Sequence, residues 1–454
     1  MEKKRTGDMT RGNPTKLLIL FALPMMVGSI FQSLYNTVDS IVVGRFVSAE
    51  ALGAIGATNS TTFMMLSLAT GITSAISIVI SQLYGAKEDA RLKKCTVSAM
   101  YLTLALGVIF GVLSFAIARP LMLLLGAPPE VIDMAVTYVR ITCGLCIANF
   151  FYNAAASTLR AMGDSRTPLY FLILCSLLNI ALNLLFVIKF HMGVAGVAYA
   201  TVISQAVSAV GCIIRLFQKY PDLRFGVSDL APDFELIKRI TGMGLSMGVQ
   251  SCVTSLGMMV VTRVINSFGA DVVVAQTVGA RVQNLAIMMF SQFSFSFSVY
   301  AGQNFGARDF ERIRQGFRSC FLLVGGLSIL AATLVFIFGD QIILLFVNAD
   351  ETSVIAIARK LIRIAAAFYP FLGWIWLYLS TLKGVGAIPP VIISGFVELA
   401  AKILLSIGLS RIWGATGIWF AEPIGWVLGI IPVAAYYYSG RWKKLPDKKK
   451  KQPA

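Results

Sequence analysis

The chain has 454 residues, of which 57% are hydrophobic and only 13% are charged. A soluble globular domain carries about 25% charged residues, so this composition excludes an ordinary soluble protein. The net charge of +17 would suggest a nucleic-acid partner in a soluble chain. Here the basic residues fall between apolar runs, where the positive-inside rule accounts for them, and no nucleic-acid partner is expected.

Apolar runs long enough to cross a bilayer recur along the whole sequence and predict an all-α polytopic membrane protein. Twelve transmembrane helices are predicted at 15–44, 51–83, 96–118, 134–157, 168–190, 194–215, 237–268, 272–302, 317–338, 356–382, 389–412 and 414–438. Most of the 39 Lys and Arg fall at the two ends and in alternate loops, which predicts cytoplasmic termini in a cell membrane.

The longest polar break lies at the middle of the chain and separates six helices from six. The predicted organisation is a cytoplasmic segment 1–14, an N-lobe 15–215, a cytoplasmic linker 216–236, a C-lobe 237–438 and a basic cytoplasmic tail 439–454. This tail is expected to lie against anionic lipid, because its sequence, "SGRWKKLPDKKKKQPA", is rich in lysine.

The two halves are internal repeats. "QLYGAKEDARLKK" (82–94) matches "QNFGARDFERIRQ" (303–315), and "LRAMG" (159–163) matches "LKGVG" (382–386). Both halves start on the cytoplasmic side, so the pattern predicts two pseudo-symmetric six-helix bundles related by an axis along the membrane normal. Transporters with such repeats bind substrate between them, near the bilayer midplane.

Polar residues at membrane depth are costly and mark candidate sites. In chain order, the first is Asp39 in helix 1, followed by Asn179 and Asn183 at i,i+4 in helix 5 and Thr201 in helix 6. Helix geometry places all four about 8 to 13 Å from the outer membrane surface. This all-oxygen set with one acid fits Na⁺, and equally a protonatable carboxylate. The structural alternative is a helix-end acid paired with Arg45 and amides that only join helices.

The second half carries charges at the corresponding positions. Glu398 and Lys402 are i,i+4 and are predicted to neutralise each other, while Glu422 has no obvious local partner. The three residues are either a structural network or a second charged site for a proton or a cationic substrate. Arg263 and Arg281 are interpreted as side chains that snorkel toward the outer surface.

The cysteines do not indicate a metal or redox site. Cys143 and Cys146 form a CxxC in an apolar helical segment without a second pair or a neighbouring histidine, so a buried, reduced pair is expected. The only histidine, His191, is interpreted as a solvated loop residue. A nucleotide-binding GxxxxGK[ST] loop is absent from the sequence, and we predict neither an enzyme nor a bound cofactor.

The repeat motifs carry a family resemblance. "QNFGARDFERI", "QLYGAKEDAR" and "LRAMGDSRTP" in a chain of six plus six helices resemble the multidrug and toxic compound extrusion (MATE) family, over residues 15–440. The resemblance implies a V-shaped antiporter that exports drugs or organic cations, driven by inward Na⁺ or H⁺, and we expect the protein to be a monomer.

The resemblance also implies roles for single residues. Asp39, Asn179, Asn183 and Thr201 match the cation site of the family's N-lobe. Gln32, Tyr35 and Asn153 resemble its drug-contacting positions, with Asn149 and Gln205 as weaker matches. The acids that one branch of the family has in helices 7 and 10 correspond here to Gln250 and to "FLG" (371–373), which argues against a C-lobe site of that type.

Two rival functions remain open at this point. A flippase for lipid-linked sugar precursors would share the wider architecture, but it would be expected to line its cavity with arginines that bind pyrophosphate. A non-transporting receptor or scaffold would not need the repeat or polar residues at matched depth.

Overall fold

The computed structural model describes residues 7–124 and 128–449, and every regular element in these ranges is helical. The helices are α1 (Pro14–Phe46), α2 (Ala49–Gly85), α3 (Asp89–Leu124), α4 (Pro129–Gly144), α5 (Ile147–Ala161), α6 (Arg166–Leu184), α7 (Gly193–Lys219), α8 (Phe234–Asn266), α9 (Ala270–Gly306), α10 (Phe310–Leu344), α11 (Thr352–Ala367), α12 (Tyr369–Gly384), α13 (Ile388–Trp413) and α14 (Ala415–Tyr438). A π-helical turn, Leu185–Lys189, extends α6.

Within the described ranges, eight helices are long and apolar enough to cross a membrane, or ten spans exist if each of two bent helix pairs counts as one. These helices and the absence of strands from the described ranges confirm the predicted all-α polytopic class. The predicted segments 1–14 and 439–454 lie outside the described residues at 1–6 and 450–454.

Two of the predicted spans are not single continuous helices, because each is a bent pair. Span 134–157 is α4 and α5 at 44°, and span 356–382 is α11 and α12 at 49°. Pro370 lies in the first turn of α12 and cannot donate to the preceding turn, so α11 ends before it. The break between α4 and α5 follows Gly144, the last residue of α4. The Phe115 ring packs so closely on this glycine that a Cβ there would lie only 2.5 Å from it.

The chain divides into two compact units whose boundaries differ from the predicted lobes. Among the described residues, the first comprises 7–8, 23–124 and 128–248, and the second 9–22 and 249–449. The divisions therefore fall inside α1, just before Pro24, and inside α8, rather than in the predicted linker. The start of α8 belongs to the first unit because it packs closely against α2 at Gly244. The two helices approach so closely there that a Cβ added to Gly71 of α2 would lie only 2.4 Å from the Gly244 carbonyl oxygen.

The start of α1 and the segment before it belong to the second unit through hydrogen bonds of their backbone. Met9 N donates to Gln303 Oε1 over 2.8 Å, and Met9 O accepts from Asn304 Nδ2 over 3.2 Å. Further along, Leu18 O accepts from Ser296 Oγ over 3.2 Å. Since α1 is one continuous helix, residues on either side of Pro24 contribute to different units.

Candidate functional site

The four residues predicted to form a cation set lie in one hydrogen-bonded cluster of the first unit. Asp39 lies on α1, Asn179 and Asn183 on α6, and Thr201 on α7. Asn183 Nδ2 donates to a carboxylate oxygen of Asp39 and, over 2.9 Å, to Asn179 Oδ1. Asn179 Nδ2 in turn donates to Thr201 Oγ1 over 3.3 Å. The two amides thus connect the carboxylate to the hydroxyl.

One oxygen of this cluster has no partner. Thr201 Oγ1 accepts from Tyr35 as well, over 3.3 Å, and donates to Val197 O over 3.0 Å, so its hydrogen-bonding capacity is used. Asn183 is fully buried, and its Oδ1 has no hydrogen-bond partner within the described residues. A buried carbonyl oxygen left unpaired calls for a ligand or an ordered water. A bound cation or a proton donor beside Asp39 would satisfy it.

A cavity of about 380 Å³ in the first unit adjoins the cluster through Tyr35. It is lined by all five residues predicted to contact substrate, namely Gln32, Tyr35, Asn149, Asn153 and Gln205. Asn153 Nδ2 donates to the backbone and side-chain oxygens of Asn149, over 2.9 and 3.0 Å, which fixes the direction of both amides. None of the described residues that line this cavity is charged.

Several lining residues were missed by sequence reasoning. They are Asn36, Thr70, Thr73, Tyr152 and Ser176, with apolar neighbours between them. A signal was present for Thr70 and Thr73, because polar residues three apart on a helix share a face. Helix α2 is otherwise rich in Ser, Thr and Gly at many positions, and its sequence alone does not single these two out.

The second unit brings together the other predicted charged residues. Lys402 Nζ lies 2.9 Å from Glu398 Oε1 and 3.5 Å from Glu422 Oε1. Gln283, on α9, donates through Nε2 to Glu422 Oε1 over 3.1 Å, a partner that sequence reasoning did not identify. The cluster joins α13, α14 and α9, and holds two carboxylates against one ammonium.

The remaining candidates have structural environments. Gln250 Nε2 donates to Val391 O over 3.3 Å, and Leu372 of the "FLG" stretch is buried. Cys143 and Cys146 are buried and free, as predicted. Within the part of the chain that the structure describes, no group of three or more His, Cys, Asp or Glu could hold a metal ion. A cation bound at Asp39 would instead be coordinated by this one carboxylate together with the neutral amide and hydroxyl oxygens around it.

Comparisons with known proteins agree on the fold and the family. The MatE family profile matches residues 24–185 and 246–407, one match in each half. The probable multidrug resistance protein YpnP of Bacillus subtilis is 29% identical over 440 residues, which cover 96% of this chain and 98% of that protein. YoeA of the same organism, with the same description, is 29% identical over 97% and 96% of the two chains.

A solved structure shares the fold at lower identity. A MOP-superfamily transporter from Pyrococcus furiosus has a TM-score of 0.88 at 23% identity, covering 98% of this chain and 100% of that chain. At this identity the likeness shows the fold alone.

Proposed function

Because the chain belongs to the MatE family of multi-pass membrane transporters, we propose that it is a secondary active multidrug efflux antiporter. It exports organic cations or amphiphilic drugs in exchange for H⁺ or Na⁺ by alternating access, and Asp39 is its coupling carboxylate. The multidrug description of its relatives YpnP and YoeA supports the substrate class.

The observation that carries this proposal is the unbroken hydrogen-bonded path from Asp39 to the uncharged cavity. It passes through Asn183, Asn179 and Thr201 and ends at Tyr35, whose ring lines the cavity. A change in the proton or cation content at Asp39 therefore alters the hydrogen bonding of a residue that a cavity ligand would touch.

Coupling follows from competition for these groups. A cation at Asp39 and the free Asn183 oxygen would draw both side chains toward itself, which weakens the bonds that hold Thr201 and Tyr35 in place. A ligand in the cavity that needs Tyr35 in its present position would oppose this change. Each ligand shifts the conformational equilibrium only by its differential affinity for the two states, so mutual exclusion is sufficient for exchange.

The flippase alternative is not favoured. A pyrophosphate headgroup needs basic side chains, and arginine is the residue best suited to it. The cavity beside Asp39 is lined by amides, hydroxyls, aromatic rings and apolar groups, without a basic residue among them.

The orientation and surroundings of the chain complete the proposal. We infer that both termini are cytoplasmic, that the protein functions as a monomer in the cell membrane, and that the basic tail lies against anionic lipid. We also propose that the two membrane bundles, counted by predicted helices, span 15–215 and 237–438, whereas the compact units divide within α1 and α8. Basic residues concentrated at the chain ends and in alternate loops support this orientation.

The test measures drug efflux from proteoliposomes under a Na⁺ gradient, a proton gradient, both, or neither. With purified Asp39→Asn we expect gradient-driven ethidium transport to fall at least about tenfold, because the carboxylate charge is the coupling group. The matched control is Asp133→Asn, which removes an exposed carboxylate paired with Arg119. It should transport at the wild-type rate.

The gradient that drives the wild-type protein identifies the coupling ion. If Asp39→Asn retains wild-type transport with the same Na⁺ and pH dependence, the coupling role of Asp39 is wrong. If neither gradient drives export of any organic cation by the wild-type protein, the antiporter proposal itself is wrong.

A further inference from the structure

A second cavity, of about 350 Å³, lies in the second unit and is lined by residues of α8, α9, α11, α13 and α14. Val261, Ile265 and Leu361 are among its apolar residues. Unlike the cavity beside Asp39, it is lined by three charged residues, Arg281, Lys402 and Glu422. Its walls therefore combine apolar surface with charges of both signs.

One side of this cavity is acidic. Glu422 lines it and shares Lys402 with Glu398, so two carboxylates face a single ammonium. Lys402 is 9% exposed and lies closer to Glu398 than to Glu422. The cluster therefore carries one excess negative charge, and Glu422 holds the weaker of the two contacts with the lysine.

The other charge of the cavity is Arg281. This guanidinium has no carboxylate within ion-pair distance among the described residues, and its side chain is exposed. The sequence predicts a snorkelling role, yet the structure places it among the lining residues. An arginine without an anion in a partly enclosed site is suited to a carboxylate or another planar anion, which it binds with two parallel hydrogen bonds.

Polar atoms of the cavity wall also lack partners. Trp419 is 7% exposed, and its indole N–H is unpaired within the described residues, as is Gln276 Oε1. The hydroxyls of Thr262 and Thr277 donate to Met258 O and Val273 O, so towards a ligand they can only accept. Buried polar groups without partners are uncommon and indicate a missing ligand, ion or water.

We propose that this cavity binds an amphiphilic zwitterion, with its ammonium at Glu422 and its carboxylate at Arg281. A monocation would leave Arg281 unpaired and would be repelled by it, and a monoanion would face Glu422 in the same way. A zwitterion satisfies both charges without adding net charge to a site in a membrane protein, where uncompensated charge is costly. Its apolar body contacts Val261, Ile265 and Leu361.

This inference does not rest on the coupling role of Asp39, because it concerns binding at equilibrium in detergent without any ion gradient. The probes are para-(aminomethyl)benzoate and its longer biphenyl homologue, which differ in the distance between charges. Each is compared with its methyl ester, a cation, and its N-acetyl derivative, an anion. Wild-type protein should bind the better zwitterion at least about tenfold more tightly than either derivative, since each derivative loses a charge-assisted contact.

The variants are Glu422→Gln and Arg281→Gln, with Arg263→Gln as the matched control. Arg263 is an exposed arginine at the end of α8 that does not line the cavity. We expect each of the two cavity variants to weaken zwitterion binding about tenfold and the control to leave it unchanged. Size-exclusion profiles and thermal unfolding verify that the variants fold. If a variant does not fold, the comparison of the probes on wild-type protein still tests the proposal.

Four outcomes overturn the proposal. Tighter binding of the methyl ester, enhanced by Arg281→Gln, would make the cavity a cation site. Tighter binding of the N-acetyl derivative would make it an anion site. Zwitterion binding that neither variant affects would place the ligand elsewhere. Absence of binding by every probe at millimolar concentration would mean that the charges serve only the fold.

Discussion

Each unit has a cavity beside a polar cluster, and the two cavities differ in charge. The cavity of the first unit has no charged lining residue, and a single acid, Asp39, adjoins it through an amide and hydroxyl network. The cavity of the second unit is lined by Arg281, Lys402 and Glu422. Repeat alignment places Val261 where the first half has Asp39, and Val261 also lines its cavity.

This difference separates a site whose net charge can change from one in which a lysine is already paired with two acids. Around Asp39, the described partners are amides and hydroxyls that stay neutral at physiological pH, so gain or loss of one cation changes the net charge of the network. In the second unit, Lys402 is a fixed internal counter-ion for Glu398 and Glu422. We therefore expect ion exchange in the first unit and stable charge pairing in the second.

The largest expected effect concerns this internal counter-ion. Lys402→Met leaves two carboxylates facing each other without a cation, and removing one partner of a buried ion pair costs about 3–5 kcal/mol of unfolding free energy. Asn183→Leu in the first unit removes two hydrogen bonds, one of them to the Asp39 carboxylate, and should cost less, about 1–3 kcal/mol. Thermal unfolding of the purified variants in detergent should show this order.

Two further variants test the reason for that order. Lys360→Met removes an exposed lysine of α11 and should leave the unfolding temperature unchanged. Adding Glu398→Gln and Glu422→Gln to Lys402→Met should recover most of the lost stability, because no carboxylate of the cluster then lacks its counter-ion. If Lys402→Met is as stable as the Lys360→Met control, the lysine does not act as a counter-ion.

Hydropathy and loop charge predict the helices, because the membrane imposes length and apolarity on each span. The span predicted at 15–44 corresponds to α1 (Pro14–Phe46), for example. The two breaks were not predicted. The effect of Pro370 depends on whether it begins a helix or interrupts one, and Gly144 ends α4 where Phe115 of another helix approaches it.

The candidate sites were predictable where residues share one helix face and less so where distant helices meet. The i,i+4 spacing indicated the pairs Asn179–Asn183 and Glu398–Lys402, and both are present. Gln283 was missed because nothing in α9 marks it as facing α14. Such contacts depend on the rotation of each helix about its axis, which packing determines.

The second prediction concerns a buried ion pair whose acid has no counterpart at the matching position of the second half. Asp164, in the loop between α5 and α6, accepts from Lys219 Nζ and from Thr167 Oγ1, each over 2.6 Å. At the matching position of the second half the residue is Ala387. We expect Asp164→Asn to lower the unfolding free energy at neutral pH by about 1–3 kcal/mol.

The pH dependence of this effect has a defined sign. Burial raises the pKa of Asp164, but the hydrogen bonds from Lys219 and Thr167 outweigh it and hold the pKa below its ordinary value. The contribution is therefore complete above the pKa of the unfolded chain, about 4, and is lost as the pH falls through the native value. A stability difference between Asp164→Asn and wild type that grows on acidification would contradict this assignment. The control, Asp133→Asn, removes an exposed acid and should differ hardly at all from wild type in stability.

The smallest expected effect lies where the two repeats agree. Lys87 and Arg308, in the matching "GAK" and "GAR" turns, both adopt the left-handed conformation with a φ of 59°. This conformation costs a non-glycine residue about 1 kcal/mol, whereas glycine adopts it freely but loses more entropy on folding. Lys87→Gly and Arg308→Gly should therefore each change the unfolding free energy by less than about 1 kcal/mol.

The preceding alanines provide the control for these glycine variants. Ala86 and Ala307 each have a φ of −71°, so a glycine there relieves no strain and should cost about 0.5–1 kcal/mol in each half. Unfolding of the four variants by calorimetry in detergent compares the halves directly. A difference between Lys87→Gly and Arg308→Gly larger than that between the two alanine variants would mean that the repeats have diverged in these turns as well as in their cavities.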